Sequence, residues 1–274
     1  MNSSNFATII SGQQRIARAF RAAAELRNAA IMPYFTLGYP DPDMALEIIE
    51  AIAIESDLLE LGIPFSDPIA DGPTIQQSTQ RALENGVTSA DCLTALKSLR
   101  SRGMETPVLL MGYYNPILAY GEERFVREAA DAGADGFIIP DLPLEEAQTL
   151  TATAEEAGLV LVQFLAPTST DSRIALVQDR ARGFIYMVSV AGVTGARQSV
   201  RGDLAALVTI IKSGTDIPVA VGFGISTPEQ AAAVGSFADG VIVGSALINI
   251  VDTADDKPAA AANYVRSLRE ALSV

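Results

Sequence analysis

Short apolar runs alternate with longer amphipathic stretches along almost the entire chain. The apolar runs are nearly continuous in hydrophobic residues, which is typical of parallel strands covered on both faces. They predict strands over residues 31–37, 57–63, 107–113, 135–140, 159–165, 183–189, 217–222 and 239–243. The longer stretches repeat apolar residues at helical spacing and predict helices over 12–28, 42–55, 74–85, 89–102, 121–132, 143–157, 171–181, 199–213, 226–236 and 258–272.

Glycine and proline support several of these helix boundaries. Gly133, in A-G-A-D-G, is suited to the left-handed residue that follows a helix, and a related A-D-G occurs at 238–240. Proline is favoured in the first turn of a helix, which predicts helix starts at Pro143, Pro228 and Pro258.

The repeated strand–helix unit predicts an α/β fold. We expect a single (β/α)8 (TIM) barrel domain over residues 1–274, with an extra N-terminal helix at 12–28. An open, doubly wound sheet is the alternative. No linker rich in glycine, serine or proline divides the sequence, so a second domain is not expected.

Segments of unusual composition follow the predicted strands. They are TLGYP (36–40), ELGIPFSDP (60–68), GYYNP (112–116), PDLP (140–143), APTST (166–170), SVAGVTGAR (189–197), GFGIST (222–227) and GSA (244–246). In barrel enzymes the loops after the strands build the active site at one face. We therefore expect a site at this face.

Composition narrows the chemistry of such a site. The net charge of −14 argues against binding to nucleic acid or to anionic membranes. No apolar stretch approaches the roughly 18 residues that a membrane span needs. The absence of histidine excludes Ser-His-Asp and Cys-His nucleophile systems and most zinc sites. We expect neither a metal nor a cofactor.

Cysteine and lysine chemistry are not expected either. The one cysteine, Cys92, lies in a helical pattern and is expected in the core. Lys97, Lys212 and Lys257 fall in helical or linker contexts rather than at strand ends, which argues against a Schiff-base lysine.

The start of the chain is basic. The first 24 residues contain Arg15, Arg18 and Arg21 and no acidic residue, as in some organelle transit peptides. The arginines recur at helical spacing with apolar residues, which favours a helix packed before the first strand. We therefore expect a cytoplasmic location.

Carboxylates at the end of the second predicted strand are the candidate acid–base groups. Glu60 ends an apolar run without a basic neighbour in sequence, and Asp71 follows in a proline-rich loop. A glutamate among apolar groups has a raised pKa and can donate a proton near neutral pH. Asp71, in a more polar loop, should stay ionised and accept an N–H. Alternatively, Glu60 pairs with an arginine or a backbone donor, and Asp71 forms a turn.

Aromatic and apolar residues at other strand ends could line a slot for a flat ring, with a plain core role as the alternative. They are Tyr34, Tyr113, Tyr186, Phe223 and Ile242.

Glycines recur in the last three strand–loop segments and predict a phosphate site. They are Gly192 and Gly195, Gly222 and Gly224, and Gly244, which precedes Ser245. Backbone N–H groups can approach an anion closely at glycine, and Ser245 could open a short helix. No G-x-x-x-x-G-K-[ST] motif is present.

Several of these motifs together resemble the α subunit of tryptophan synthase. They are L-E-L-G-I-P-F-S-D-P-x-A-D-G-P-x-I-Q, M-G-Y-Y-N-P, P-D-L-P, A-P-T, A-G-V-T-G-A and G-F-G-I-S. The resemblance implies a lyase of L-tryptophan biosynthesis. Its substrate would be indole-3-glycerol phosphate, cleaved by a retro-aldol reaction to indole and D-glyceraldehyde 3-phosphate.

The resemblance also implies roles for individual residues. It assigns catalysis to Glu60 and Asp71 and likens the loop at 190–199 to a lid. It places the phosphate among Gly195, Phe223, Gly224, Gly244 and Ser245 and likens Tyr186 to the family's active-site tyrosine. Together with the strand-end pattern, this gives the residues expected to bind the substrate: Tyr34, Tyr113, Tyr186, Thr194, Gly195, Gly222, Phe223, Gly224, Ile242, Gly244 and Ser245. The sequence departs from the family at 55–57, where E-S-D replaces the usual G-A-D, and Tyr34 stands where some members have phenylalanine.

A β subunit in an α2β2 heterotetramer is the partner that the resemblance implies. Loops 64–74 and 113–118 are candidate contact surfaces, with Ile69 and Ile117 near the mouth of the barrel. Three alternatives stay open: a stand-alone lyase that releases indole, a non-catalytic activator of a β subunit, and another phosphate-binding barrel such as a sugar-phosphate isomerase.

Overall fold

The computed structural model describes residues 10–26, 29–189, 197–222 and 224–273. Its strands are β1 (Ala30–Thr36), β2 (Leu59–Gly62), β3 (Val108–Met111), β4 (Gly136–Ile138), β5 (Val160–Leu161), β6 (Gln163–Leu165), β7 (Ile185–Val188), β8 (Val219–Gly222) and β9 (Gly240–Val243).

Helices connect these strands and surround them. They are α1 (Gly12–Leu26), α2 (Pro42–Ala53), α3 (Pro73–Glu84), α4 (Ser89–Ser101), α5 (Tyr114–Tyr120), α6 (Glu122–Ala132), α7 (Gln148–Glu156), α8 (Asp171–Arg180), α9 (Arg197–Ser213), α10 (Pro228–Gly235), α11 (Ser245–Thr253) and α12 (Lys257–Ala271). Within the described ranges, no helix is long and apolar enough to cross a bilayer.

The strands form a parallel barrel. They pair in the order β5-β4-β3-β2-β1-β9-β8-β7-β6, so the first strand of the chain pairs with the last. Strands β5 and β6 are separated only by Val162, whose N–H donates to Phe137 O at 3.0 Å. They are therefore two parts of the predicted strand 159–165. The (β/α)8 barrel is confirmed, and the open doubly wound sheet is wrong.

Alternate residues of each strand face the barrel interior and the surrounding helices. Tyr34 belongs to the inner apolar cluster, and its neighbour Phe35 to the cluster under the helices. The inner cluster takes one or more side chains from most strands, among them Met32, Leu109, Ile138, Val160, Tyr186, Ala220 and Ile242. Period-two alternation thus decides which residues can reach the centre of the barrel.

An aspartate just before a strand recurs at the N-terminal end of the barrel. In each case its Oδ2 atom accepts the backbone N–H of a neighbouring strand, which gives that donor a partner where the ladder begins. Asp57 accepts from Ile31 at 2.9 Å, Asp135 from Val108 at 2.8 Å, and Asp239 from Val219 at 2.9 Å. These bonds explain why the A-D-G pattern recurs in the sequence.

Helix α1 packs across this N-terminal end, as the extra N-terminal helix predicts. The rings of Phe20 and Phe184 lie 5.6 Å apart, and both belong to the inner cluster. Arg15 pairs with the buried carboxylate of Asp135 at 2.6 Å. The helix therefore closes the N-terminal end of the barrel with an aromatic side chain and an ion pair.

Some helix boundaries differ from the predictions. Helix α5 is not predicted. Helix α7 begins at Gln148, so the expected helix start at Pro143 is wrong, because Glu146 N–H bonds Pro143 O and closes a turn there. Pro228 and Pro258 do lie in first turns, and Gly133 has the expected left-handed conformation, with φ of 91°.

Two further expectations concern the core and the departure at 55–57. Cys92 is fully buried in α4, as predicted. Glu55, at the departure from G-A-D, accepts hydrogen bonds from Arg266 of α12, with Nη2 at 2.8 Å, and lies near Arg269. Ser56 Oγ donates to Ile52 O at 2.7 Å. Side-chain contacts therefore hold this turn without the glycine.

Candidate active site

Glu60 points into the barrel from the middle of β2. Its side chain is only 3% exposed, and its Oε2 atom has no hydrogen-bond partner among the described residues. Burial, and secondarily the charge of Asp71, raise the pKa of Glu60 from 4.5 to about 8. In the described part of the chain, no arginine or lysine appears among the charges that shift it. The expected apolar setting is therefore present, and no arginine with a described side chain pairs with Glu60.

Asp71 lies in the loop between β2 and α3. The Asp71 N–H donates to Pro68 O at 3.0 Å, and the Gln76 side chain donates to Asp71 O at 2.8 Å. The residue is half-buried rather than exposed, and burial raises its pKa from 3.8 to about 6, although a hydrogen bond from Tyr113 lowers it. The loop is thus less polar at this point than the sequence suggests, yet Asp71 is still mostly ionised at pH 7.

Tyr113, just after β3, holds this loop in place. Its hydroxyl accepts the Ala70 N–H at 3.0 Å, and its ring packs on Phe65 at 5.5 Å between centroids. The hydroxyl therefore has its own proton available for Asp71, one residue farther along. Burial raises the pKa of Tyr113, so the group stays a neutral donor at physiological pH.

Two more tyrosines occupy space that glycines leave open. A Cβ atom at Gly62 would lie 2.1 Å from Tyr34 Oη, and one at Gly222 would lie 2.5 Å from Tyr186 Oη. Both tyrosines are buried, and burial raises their pKa values. Their rings belong to the same inner cluster as Ile242. The predicted slot residues Tyr34, Tyr113, Tyr186 and Ile242 are thus brought together.

Other residues of the slot were not predicted. Phe164 packs on Tyr186 with 5.0 Å between ring centroids, and Leu109 and Ile138 belong to the same cluster. The sequence signal that predicts them is the two-residue alternation of strands, because a residue two positions before or after an inward-facing strand residue also faces inward.

The glycine-rich segments lie at the C-terminal ends of β8 and β9. Gly222 ends β8, and Gly224 has φ of 77°, where a Cβ atom would meet no described atom within 4 Å. Gly244 is the residue before α11, which Ser245 opens, as the expected short helix requires. A helix N-terminus favours an anion. Thr194, Gly195 and Phe223 lie outside the described residues, as does Gly192.

Two loop expectations need correction. The expected loop over 190–199 overlaps α9, which begins at Arg197, while its first part lies outside the described residues. Ile117, in α5, is only 3% exposed and packs in the core, whereas its neighbour Leu118 is 53% exposed. Ile69, in loop 64–74, is 81% exposed.

The described part of the chain contains no group of three or more Cys, Asp and Glu side chains placed to hold a metal ion. Lys97, Lys212 and Lys257 lie on α4, α9 and α12, outside the barrel interior. The described titratable groups that interact electrostatically with Glu60 are Asp71, Tyr34 and Tyr186.

Comparisons with known proteins agree with this arrangement. The family model described as tryptophan synthase alpha chain matches residues 20–273. The tryptophan synthase alpha chain of Chloroflexus aggregans is 51% identical over 257 residues, which cover 93% of this chain and 96% of that protein. That of Roseiflexus castenholzii is 48% identical over 258 residues, covering 93% and 99%.

Solved structures show the same likeness. The crystal structure of tryptophan synthase subunit alpha from Legionella pneumophila has a TM-score of 0.85 at 38% identity, covering 94% of this chain and 98% of that one. A chain of Mycobacterium tuberculosis tryptophan synthase gives 0.86 at 37% identity, covering 95% and 98%. Sequence and barrel together show that this chain belongs to the tryptophan synthase alpha chain family.

Proposed function

We propose that this chain is a carbon–carbon lyase that cleaves indole-3-glycerol phosphate to indole and D-glyceraldehyde 3-phosphate, the α reaction of tryptophan synthase. Membership of the family supports the reaction. The observation that carries it is the buried Glu60, whose carboxyl group has an oxygen without a described partner and a pKa of about 8 inside an aromatic-lined barrel. A general acid needs both features near neutral pH.

The indole ring supplies the electron sink that this cleavage needs. Glu60, protonated at neutral pH, donates its proton to C3 of the indole and leaves a positively charged indolenine. The carboxylate of Asp71 accepts a hydrogen bond from the ring N–H, and its negative charge stabilises that cation. Neither a metal nor an imine is required by this step.

The second proton transfer closes the cycle. Glu60, now a carboxylate, takes the proton of the hydroxyl on the carbon next to the ring. The bond between that carbon and indole C3 breaks, the carbonyl of glyceraldehyde 3-phosphate forms, and the electron pair returns to the ring. Glu60 is protonated again, so atoms and charge balance over the two steps.

Phosphate binding at the glycine-rich rim would set the substrate's direction. Gly222, Gly224 and Gly244 place backbone groups at the ends of β8 and β9, and Ser245 opens α11. We propose that Thr194, Gly195 and Phe223 complete this site. With the phosphate there, the ring would extend toward Tyr34, Tyr113, Tyr186 and Ile242.

Membership of this family implies a β subunit as a partner. We propose an α2β2 complex in the cytoplasm in which loop 64–74 and the exposed face of α5 contact the partner. Ile69 and Leu118 support this surface, because each exposes a large apolar side chain near the mouth of the barrel.

The decisive experiment is a direct assay for indole. The purified chain is incubated with indole-3-glycerol phosphate, with and without a β subunit, and indole is measured over time. Indole release that is lost in Glu60→Gln supports the lyase. Stimulation by the β subunit favours the complex over a stand-alone lyase, whereas a chain that stimulates its partner but releases no indole would be a non-catalytic activator.

A further inference from the structure

A chain of buried hydroxyl groups runs from the aromatic slot to α3. Tyr34 Oη lies 3.2 Å from Thr36 Oγ1, and Thr36 Oγ1 lies 2.7 Å from Ser78 Oγ. Ser78 Oγ in turn donates to the backbone carbonyl of Ile75 at 2.9 Å. Thr36 and Ser78 are both almost completely buried.

The direction of every proton in this chain follows from counting donors. Each hydroxyl has one proton to donate. Ser78 gives its proton to Ile75 O, so Thr36 must donate to Ser78. Thr36 then has no proton left for Tyr34, and the 3.2 Å contact requires Tyr34 to be the donor.

Tyr34 lies beside Glu60. The two residues are paired in the register of β1 and β2. Tyr34 belongs to the inner cluster, and Glu60 faces the same way because its neighbours Leu59 and Leu61 belong to the cluster under the helices. Tyr34 and Tyr186 both interact electrostatically with Glu60 and with Asp71. Among the described residues, the titratable groups that face the Glu60 carboxyl group are therefore Tyr34 from β1, Tyr186 from β7 and Asp71 from the loop before α3. Glu60 Oε2 nevertheless has no hydrogen-bond partner among the described residues.

We propose that Thr36 and Ser78 are positioning residues that fix the direction of the Tyr34 O–H bond, so that the hydroxyl donates to Thr36 and not to Glu60. The inference rests on the proposed function only in giving Glu60 its role. Because the Tyr34 hydroxyl group donates its one proton to Thr36, it has none to donate to Glu60.

The consequence for Glu60 is chemical. A hydrogen bond donated to a carboxylate stabilises its ionised form and lowers its pKa. A tyrosine free to turn toward Glu60 would therefore leave less of the protonated acid at neutral pH. Thr36 and Ser78 maintain the supply of that acid without contacting the substrate.

Thr36→Val tests this directly, because valine keeps the shape of threonine and removes the hydroxyl. Tyr34 then loses its acceptor, and we expect the alkaline limb of the kcat/KM profile to move down by about one pH unit. Thr36→Ser retains the hydroxyl and should keep the limb at its wild-type pH. Adding Tyr34→Phe to Thr36→Val removes the freed donor and should return the limb toward its original position.

Ser78→Ala removes the hydroxyl group that α3 contributes to the same chain of hydrogen bonds. Without Ser78, the Thr36 proton becomes available to Tyr34 Oη, so the Tyr34 proton is released and the limb should move in the same direction. This variant keeps the inner face of β1 unchanged and serves if Thr36→Val does not fold.

Infrared titration of Glu60 separates this inference from the proposed function. The wild-type spectrum minus that of Glu60→Gln isolates the protonated carboxyl group and reports its pKa without turnover. A lower pKa in Thr36→Val and Ser78→Ala, reversed by Tyr34→Phe, supports the inference even if no indole is released. An unchanged pKa in both variants, or a lowered pKa that Tyr34→Phe does not reverse, overturns it. A wild-type chain that releases no indole instead contradicts the proposed function alone.

Discussion

Tyr34 fills the space that a side chain at Gly62 would occupy at the mouth of the barrel. A Cβ atom at residue 62 would lie 2.1 Å from the tyrosine hydroxyl oxygen and 2.6 Å from its Cζ atom. Real Cβ atoms do not approach other atoms so closely. The absence of a side chain at Gly62 is therefore what allows Tyr34 to stand beside Glu60.

Gly62→Ala should impair the lyase reaction by displacing Tyr34. The added methyl group forces the ring to turn within a packed interior, where overpacking costs about 1–3 kcal/mol. We expect a lower kcat/KM for indole release and a lower free energy of unfolding in urea. Gly112→Ala is the matched control, because its Cβ meets only Ile63 at an ordinary 3.6 Å. Equal losses in both variants would contradict this explanation.

Glu60→Gln should reduce kcat for indole release by about 10²–10⁴-fold, since an amide cannot shuttle a proton. The fold should survive, because glutamine has nearly the same shape. Glu47→Gln, at an exposed position of α2, is the control and should retain wild-type turnover. Near-normal turnover in Glu60→Gln would remove Glu60 from the mechanism.

The same variant should alter the pH dependence of stability. The pKa of Glu60 is about 8 in the folded protein against an ordinary 4.5, so the folded state binds the proton more tightly. This group's contribution to the free energy of unfolding is complete below about pH 4.5 and falls as pH rises to about 8. In Glu60→Gln that fall should be missing. Urea unfolding should therefore show that the variant gains stability relative to the wild type as pH rises across this window. A difference that is constant with pH would refute the shifted pKa.

The kcat/KM profile should be bell-shaped, with limbs near pH 6 and pH 8. Asp71, whose pKa is about 6, must lose its proton, and Glu60, whose pKa is about 8, must keep its own. Because the two groups interact, each limb belongs to the pair. Initial rates at low substrate concentration across this range provide the test, and a flat profile from pH 5 to 9 would contradict both roles.

Asp71→Asn should lower kcat for indole release by an order comparable to Glu60→Gln and remove the acidic limb. An amide still accepts the ring N–H, but it cannot neutralise the cation. Asp67→Asn, in the same loop but exposed, is the control. If the rates of the Asp71 and Asp67 variants match that of the wild type, Asp71 serves only the structure of the turn.

Phe20→Ala should destabilise the barrel by about 3–5 kcal/mol, because it opens a cavity in the closed end. Leu26→Ala, in the same helix but exposed, should change the free energy of unfolding by less than about 0.5 kcal/mol. Urea denaturation of both variants measures the contrast. Similar small effects would mean that α1 contributes little to the core.

Local patterns are sufficient to predict most of the fold. Nearly continuous apolar runs place all eight strand positions, since strands buried on both faces leave that signature. Helix α5 escapes prediction because its few residues include Pro116 and directly follow a strand-end glycine segment. The start of α7 is missed because the rule for proline at a helix start does not distinguish a turn from a helix, and residues 143–146 form a turn.

Some residues of the candidate site can likewise be placed from local sequence patterns, and others cannot. Period-two alternation is enough to place Tyr34, Glu60 and Tyr186 in one interior. The burial of Asp71 depends on contacts of its loop with Tyr113, which follows a different strand, so the local sequence, rich in aspartate, glycine and proline, misleadingly indicates a polar setting. The contact of Thr36 with Ser78 likewise depends on how α3 docks on β1.

Helix α1 has a consequence for biosynthesis of the chain on the ribosome. Its apolar face, with Ile16 and Phe20, is translated early, but the residues that Phe20 packs against include Phe184 and Gly240. At about 5–20 residues per second, that face waits roughly 10–45 seconds for its last contacts. During this time the apolar face of α1 lacks the partners that cover it in the folded barrel, so its burial follows the synthesis of β7 and β9.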